Sequence, residues 1–453
     1  MTDAAGGLPL RMLTRQPQPF DLYRGAYSAL LYLLAPLIML RLLWPRRGKP
    51  GHGRRWPELL GIGQAPQVAA PIWLHAVSVG EVVAAGPVIR ALRERYPEQS
   101  ILLTTTTRTG ADAAQGLLRD PLIMHRYAPL DFPGAVARFL NRYQPLAMLL
   151  METELWPNQL AACRRRRMPV VLLNARLSER SCRRYQRFQG LFDSLAGNLS
   201  LLLCQHQDDA DRFVRLGVDA ARLQVTGSVK FDITYAAAVT DAGQALRRQL
   251  GDDRPVWIAA STHEGEDEQV LAAFARVRRA VPRALLILVP RHPQRFDGVF
   301  ALCRSHGFVT VRRSDGVAPG DGIQVYLGDT MGELPLMFAA SDLAFVGGSL
   351  VDVGGHNLLE PAALGKAALT GPHYFNFSDI TRQLLAKGAV QEVGDAEALA
   401  GAVLALFADP TERTRMGAAG QAVVQENQGA LQRTMLALET TLRMPVPPPA
   451  SPE

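Results

Sequence analysis

The first apolar feature of the chain is a run without charge, YSALLYLLAPLIML from Tyr27 to Leu40, with Arg24 before it and Arg41, Arg46, Arg47, Lys49, Arg54 and Arg55 after it. The run is short for a full bilayer span. Arg24 and Arg41 can snorkel to opposite headgroup layers and lengthen it. No small-residue cleavage site follows, and the basic cluster stands on the C-terminal side, so the pattern predicts a retained membrane anchor over about residues 24–44. The basic excess after the run predicts that the body of the chain lies in the cytoplasm beside anionic lipid, with the anchor either single-pass or monotopic. A helix packed on the globular body is the alternative.

Beyond the anchor, short apolar strands alternate with stretches of helical spacing. Pro71 to Val77, Ser100 to Thr104, Ala147 to Met151, Val170 to Leu173, Leu201 to Cys204 and Leu223 to Val225 read as strands, with helices over Glu81 to Tyr96 and Asp112 to Leu118. A second round follows Pro255. Its strands are Val256 to Ala260, Ala284 to Val289, Gly322 to Tyr326 and Leu343 to Val346, with helices after Glu268, Gln294, Leu334 and Asn357. Continuous apolar strands between helices imply parallel sheets covered on both faces, hence an α/β chain of two Rossmann-like, doubly wound domains. The expected layout is an N-terminal segment (1–44), a first domain (45–231), a linker (232–254) and a second domain (255–442). Helical sequence from Glu412 to Leu442 closes that domain, and a proline-rich tail (443–453) is expected to be disordered.

Composition narrows the partners. With 453 residues, 48% hydrophobic and 20% charged, the chain can build two well-packed cores. A formal charge of +7 suggests an anionic partner: nucleic acid, phospholipid or a phosphorylated substrate. Cys163, Cys182, Cys204 and Cys303 show neither a C-x-x-C pair nor zinc spacing, which argues against structural zinc and a disulfide framework and fits a reducing cytoplasm.

The densest cluster of candidate chemistry is FVGGSLVDVGGHNLLEP, Phe345 to Pro361. Gly347, Gly348 and Ser349 follow a strand end, where missing side chains let a ligand approach the backbone. A second glycine pair delivers His356 and Asn357 to a helix start that attracts anions, and Glu360 stands where a carboxylate could accept ribose hydroxyls. In open α/β sheets ligands bind beyond the carboxyl ends of strands. Three further loops qualify there: STHEGE with Ser261, Thr262 and His263; PRHPQR with Arg291 and His292; and LGDTMGEL with Met331. Arg291 and His292 suit a phosphate without any metal, and no D-x-D motif occupies a comparable place.

The first domain offers carboxylates instead. SVGE places Glu81 at a helix entrance, and ETELWPN places Glu152 and Glu154 after the strand Ala147 to Met151. One carboxylate can take a proton from an attacking hydroxyl while a second orients the group, and the helix dipole is expected to keep Glu81 ionised. Arg108 in TTTTRTG, Arg176 in NARLS and Lys230 in TGSVKFD are cations at loop positions suited to a carboxylate or phosphate.

Together these motifs, in this order after an N-terminal anchor, resemble the 3-deoxy-D-manno-octulosonic acid (Kdo) transferases of lipopolysaccharide synthesis, over roughly Tyr23 to Gln432. The resemblance implies an inverting GT-B glycosyltransferase with two Rossmann-like domains facing a cleft and no metal or other cofactor. It implies donor CMP-Kdo on the second domain, held by Ser261, Thr262, His263, Arg291, His292, Met331, Gly348, Ser349, His356, Asn357 and Glu360. Acceptor lipid IVA would sit at the first domain beside the inner-membrane phospholipid surface. By its match to the family's SVGE glutamate, Glu81 is the expected proton acceptor, with Glu152 as its catalytic companion. Arg108, Arg176 or Lys230 would meet the Kdo carboxylate or a phosphate. Nucleic acid is not among the implied partners, and the sequence specifies no oligomeric state. Two other readings share these features: a non-hydrolysing UDP-sugar 2-epimerase of the same architecture, and a non-enzymatic lipid-binding protein at the membrane surface.

Overall fold

A computed structural model describes residues 22–43, 52–64, 70–316 and 319–442. Arg46, Arg47 and Lys49 of the expected basic flank, and the expected tail 443–453, lie outside the described residues. The chain divides into two compact units, one running to Thr226 and resuming at Gln432, the other spanning Gly227–Leu431.

The first unit is built on seven parallel strands: β1 (Ile72–His75), β2 (Ile101–Thr105), β3 (Ile123–Tyr127), β4 (Ala147–Met151), β5 (Val170–Ala175), β6 (Leu201–Cys204) and β7 (Leu223–Val225). Their spatial order is β3-β2-β1-β4-β5-β6-β7. The second unit repeats the plan with β8 (Val256–Thr262), β9 (Leu285–Pro290), β10 (Thr310–Arg312), β11 (Val325–Leu327), β12 (Leu343–Val346), β13 (Ala367–Thr370) and β14 (Val390–Glu392), ordered β10-β11-β9-β8-β12-β13-β14. Central strands β1, β4, β8, β9 and β12 are buried along their whole length, because helices cover both faces. Trp73, Phe139 and Met148 lie in the core of the first unit, and Trp257, Phe274 and Phe345 in that of the second.

Four strands escape the apolar-run criterion: β3, β10, β13 and β14. The first, IMHRY, buries only alternate residues and carries His125 and Arg126; β10 and β14 are three-residue edge strands with charged residues, and β13 is an alanine-rich four-residue run. Short or one-faced strands need too little continuous hydrophobicity to stand out.

The domain limits also differ from the expected ones. The segment 232–254 is no linker: its helix Ala237–Leu250 packs on the helix Leu334–Ala340, so closely that a Cβ at Gly243 would stand 2.3 Å from that of Ala339. Asp232 accepts hydrogen bonds from the backbone N–H groups of Gly429, at 2.6 Å, and Leu431, tying the start of the second unit to its end. From Gln432 the last helix, Ala430–Leu442, belongs to the first unit, where Arg433 donates to the Thr226 carbonyl at 2.8 Å and Glu439 pairs with Arg95.

The N-terminal helix α1 (Leu22–Leu43) is long and apolar enough to cross a membrane, with mean hydropathy 1.3 over Leu22–Arg41. Its first half nevertheless contacts the first unit through specific polar groups. Ser28 donates to Asn158 at 3.0 Å, and Arg24 donates to the same oxygen at 3.5 Å rather than pointing away from the body.

Candidate active site

In the first unit the strand order reverses between β1 and β4, the place where an open α/β sheet leaves room for a ligand. Loops after these strands carry the candidate carboxylates. Ser78 caps helix α2 (Val79–Arg95), and Glu81, in its first turn, bonds back to the cap. The Glu81 Oε2 accepts from Val77 N–H at 2.8 Å and Oε1 accepts from the Ser78 hydroxyl at 3.0 Å. The Glu81 N–H in turn donates to the Ser78 hydroxyl oxygen at 3.4 Å, so backbone and side chain together tie the carboxylate to the helix entrance. Glu81 is 7% exposed, and burial pushes its pKa up to about 7; the Val77 N–H opposes the shift, while Glu152 and Glu154 reinforce it. The expectation of a firmly ionised group is thus corrected, because desolvation outweighs the helix terminus. A carboxylate titrating near neutrality is well matched to general-base work.

Glu152 follows β4 with φ 58°, a left-handed conformation costly for a side-chain-bearing residue, while its N–H is held by the Leu173 carbonyl at 2.9 Å. Glu154 nearby is raised above the usual carboxylate range, mainly by burial. Arg108 begins the helix Arg108–Ala113 beyond β2, and Arg176 lies just beyond β5; both are exposed. Glu81, Glu152 and these two arginines therefore come from four adjacent strands in the order β2-β1-β4-β5, a row spanning about 14 Å at the usual strand spacing. Lys230 falls instead in the second unit, on the 3-10 turn Val229–Phe231.

A cavity of about 640 Å³ opens on the flank of α2 one turn past Glu81, between Val82, Val83 and Gly86 on one side and Leu117 on the other. Arg90 and Arg119 stand on its walls beside Glu94, with no hydrogen-bond or ion-pair partner among the described residues, whereas Arg93 is paired with Asp120 at 2.8 Å. The site thus joins apolar surface to a net positive charge, three arginines against Glu94 and Asp120.

In the second unit the order reverses between β8 and β12, bringing the loops from Ser261 and Gly347 side by side. Here the residue that organises the loop is Glu266. Its fully buried carboxylate accepts from the backbone N–H groups of Gly348 at 2.7 Å, Ser349 at 3.1 Å, Leu350 at 2.9 Å and His263 at 3.2 Å. The glycine-rich loop is therefore an anion cradle already filled by a side chain of its own unit. A Cβ at Gly347 would lie 2.7 Å from Glu266 Oε2, so that glycine admits the carboxylate rather than a ligand. Sequence reasoning missed Glu266. It stands among Glu264, Asp267 and Glu268 at a helix start, where an acidic run reads as ordinary first-turn charge.

Two expected donor contacts are committed elsewhere. Ser349 is fully buried, donates to the Val346 carbonyl at 2.7 Å and accepts from Gly371 N–H at 2.8 Å. Buried Thr262 donates to Asp267 at 2.6 Å. The helix after Asn357 is short, Leu359–Ala363, which corrects the expectation of a strong anion-attracting terminus there. Ser261 keeps a left-handed φ of 59°, and Met331 is 62% exposed in the loop before the helix Leu334–Ala340.

The structure does bring together His263, His292, His356, Arg291, Asn357 and Glu360. The rings of His263 and His356 stack, with their Nε2 atoms 2.8 Å apart, and His292 meets His263 edge-on at 5.2 Å between centroids. A Cβ at Gly348, where φ is +69°, would come within 3.0 Å of the His356 ring, so here the glycine makes room for the imidazole. Burial lowers His263 to about 4 and His356 to about 3, with Arg291 contributing to both shifts. Burial raises Glu360 to about 7 against the pull of Arg291 and Asn357. The cluster offers neutral imidazoles, a guanidinium and a carboxylate raised towards neutrality, a donor and acceptor set for a phosphorylated, hydroxyl-bearing ligand. Among the described residues no group of three or more His, Cys, Asp or Glu side chains is arranged to hold a metal ion.

The family model for 3-deoxy-D-manno-octulosonic-acid transferase (kdotransferase) matches residues 54–233, and that for glycosyl transferases group 1 matches 262–423. The 3-deoxy-D-manno-octulosonic acid transferase of Haemophilus influenzae is 41% identical over 93% of this chain and 99% of its own. This chain belongs to the Kdo transferase family. A second relative of that name, from Bordetella pertussis, is 42% identical over 92% of this chain and 99% of its own. The crystal structure of the C-terminal CMP-Kdo binding domain of WaaA from Acinetobacter baumannii is 39% identical, with TM-score 0.41, covering 42% of this chain and all of that one. The two seven-stranded units are those of a GT-B glycosyltransferase, and as a Kdo transferase the chain is neither an epimerase nor a passive lipid-binding scaffold.

Proposed function

We propose that this Kdo transferase moves Kdo from CMP-Kdo to lipid IVA in one inverting displacement, with Glu81 as the base. The observation that carries the reading is Glu81 itself: buried, fixed by Val77 and Ser78, and titrating near 7 at the switch point of the first sheet. The acceptor hydroxyl oxygen attacks the anomeric carbon of Kdo and gives its proton to Glu81. The bond from that carbon to the phosphate oxygen breaks, and its electron pair leaves with CMP.

Support for the donor comes from the ligand named for the Acinetobacter domain and from the cluster of His263, Arg291, His292, His356 and Glu360. Arg291 meets the departing phosphate charge and Glu360 accepts the ribose hydroxyls. Arg108 and Arg176 on the first unit, or Lys230 on the second, neutralise the Kdo carboxylate. Support for a phosphorylated, acylated acceptor comes from the α2 cavity, where apolar walls carry Arg90, Arg93 and Arg119 in excess over Glu94 and Asp120. Its volume falls within the roughly 300–1,000 Å³ common for small-ligand sites. The apolar α1 and the net charge of +7 fit an enzyme held at the cytoplasmic face of the inner membrane.

The test is incubation with isotopically labelled CMP-Kdo and lipid IVA. The expected products are CMP and a glycolipid heavier by a Kdo residue, with inverted anomeric configuration by NMR. Release of free Kdo without glycolipid, or a product of retained configuration, would reject this mechanism.

A further inference from the structure

The first half of α1 is held by side chains and backbone of the first unit. Tyr23 packs so tightly on Gly190 that a Cβ there would stand 2.5 Å from its ring. Tyr27 hydrogen-bonds the buried Asp131, whose carboxylate also accepts from the N–H groups of Asn158 at 2.9 Å and Gln159 at 2.8 Å. Ser28 and Arg24 share the Asn158 oxygen, and the ring of Tyr32 lies 5.3 Å from that of Phe132. Three separate stretches of the first unit, around residues 131–134, 158 and 190, thus grip Tyr23 to Tyr32. Exposed apolar residues run along the opposite face for the whole helix, Leu22 at 71%, Leu30 at 53%, Leu33 at 77%, Leu37 at 63% and Leu40 at 56%. Among the described residues, no α1 side chain past Tyr32 makes a hydrogen bond, ion pair or ring contact with the rest of the unit.

Length decides what this arrangement can do. The stretch from Leu33 to Leu43 measures roughly 16 Å at 1.5 Å per residue, against a hydrocarbon core of about 30 Å. Lengthening the span to the whole of α1 would pull Arg24, Tyr27 and Ser28 off their partners and into lipid, where unpaired polar groups are costly. A helix cannot be docked over its first three turns and cross the bilayer with the rest.

We propose that α1 is a monotopic helix: it stays seated on the first unit through Tyr23 to Tyr32 and dips Leu33, Leu37 and Leu40 into the cytoplasmic leaflet only. Arg41, exposed at the far end, returns its charge to the same headgroup layer. Both ends of the helix then lie on the side of the catalytic units, and the first unit is held against the leaflet that would present a lipid acceptor. This inference rests on the membrane location proposed above, not on the chemistry of transfer.

Thiol mapping on the full-length protein tests it, since all four native cysteines are buried and give no surface background. Leu22, 71% exposed, precedes the docked turns. In membranes from expressing cells, Leu22→Cys should react with a membrane-impermeant maleimide in inverted vesicles and not in intact spheroplasts. Leu40→Cys should resist that reagent from both sides and react with a lipid-permeant maleimide. Labelling of Leu22→Cys from the periplasmic side would overturn the monotopic arrangement in favour of a span, and its protection from both sides would put Leu22 in lipid and overturn the docked first half. Free labelling of Leu40→Cys in inverted vesicles would place the apolar face outside lipid and overturn it as well. Recovery of the protein in the soluble fraction would instead reject the membrane location, leaving the transfer reaction to its own assay.

Discussion

Replacing Glu81 by Gln separates the two consequences of burying a carboxylate at the head of α2. The folded protein holds this group at about 7 against an unperturbed value of 4.5. Between those values the folded state retains a proton that the unfolded chain has released. Stability therefore falls as pH rises from 4.5 towards 7, and the full cost is present above 7. At about 1.36 kcal/mol per pKa unit, the shift corresponds to roughly 3 kcal/mol. Gln preserves the local geometry, because its carbonyl can accept from Val77 N–H and its amide can donate to the Ser78 oxygen, yet it has nothing to ionise. The variant should be more stable than the parent at pH 8 by up to about 3 kcal/mol and no more stable at pH 4. Its transfer rate should fall by about 10²–10⁴-fold, the range for a lost general base. Urea unfolding at the two pH values and initial rates of glycolipid formation read both effects. In the parent, kcat/KM should climb with pH up to about 7 and then level off, since the base must be ionised. A folded Glu81→Gln enzyme with near-normal turnover would refute the base assignment and direct attention to Glu152. Equal stability of the two proteins at pH 8 would refute the dominance of desolvation.

Two further predictions concern the second unit. Glu266→Gln replaces one of two acceptor oxygens by a donor facing the N–H groups of the glycine loop, so it should lower stability by about 3 kcal/mol or more and loosen the loop enough to weaken CMP binding; unchanged urea midpoint and CMP affinity would contradict it. Glu360→Ala should weaken CMP binding in calorimetry by about 10–100-fold, the equivalent of roughly 1.5–3 kcal/mol for lost charge-assisted bonds, and leave the KM for the acceptor near the parent value. The loss should be larger at pH 8 than at pH 6, because burial raises Glu360 to about 7 and only the ionised carboxylate makes those bonds. CMP affinity equal to the parent's would remove Glu360 from the ribose site.

The sequence by itself determined the parallel α/β plan, because strands buried on both faces must be apolar along their length, and that signal survives in one dimension at Ala147 to Met151 and Leu343 to Val346. It also located the loops that carry chemistry, since Glu81, Arg291, His356 and Glu360 all follow strand ends in motifs long enough to resemble one family. What it could not assign was the use of each polar atom. Ser349 and Thr262 look like ligand contacts in sequence and are satisfied inside the fold, while Glu266, in an ordinary acidic run, fills the loop that the glycines seemed to open for a ligand. The pKa of Glu81 was equally beyond reach, because desolvation depends on what covers the carboxylate rather than on its place in a helix. The same holds for the apolar run at the start of the chain. Hydropathy shows that α1 is long and apolar enough to cross a membrane, but the contacts of Tyr23, Tyr27 and Ser28 with residues more than a hundred positions away decide how much of it is free of the body. Periodicity is a local property that sequence records; hydrogen-bond partners and burial are settled by chain segments that meet only in the folded state.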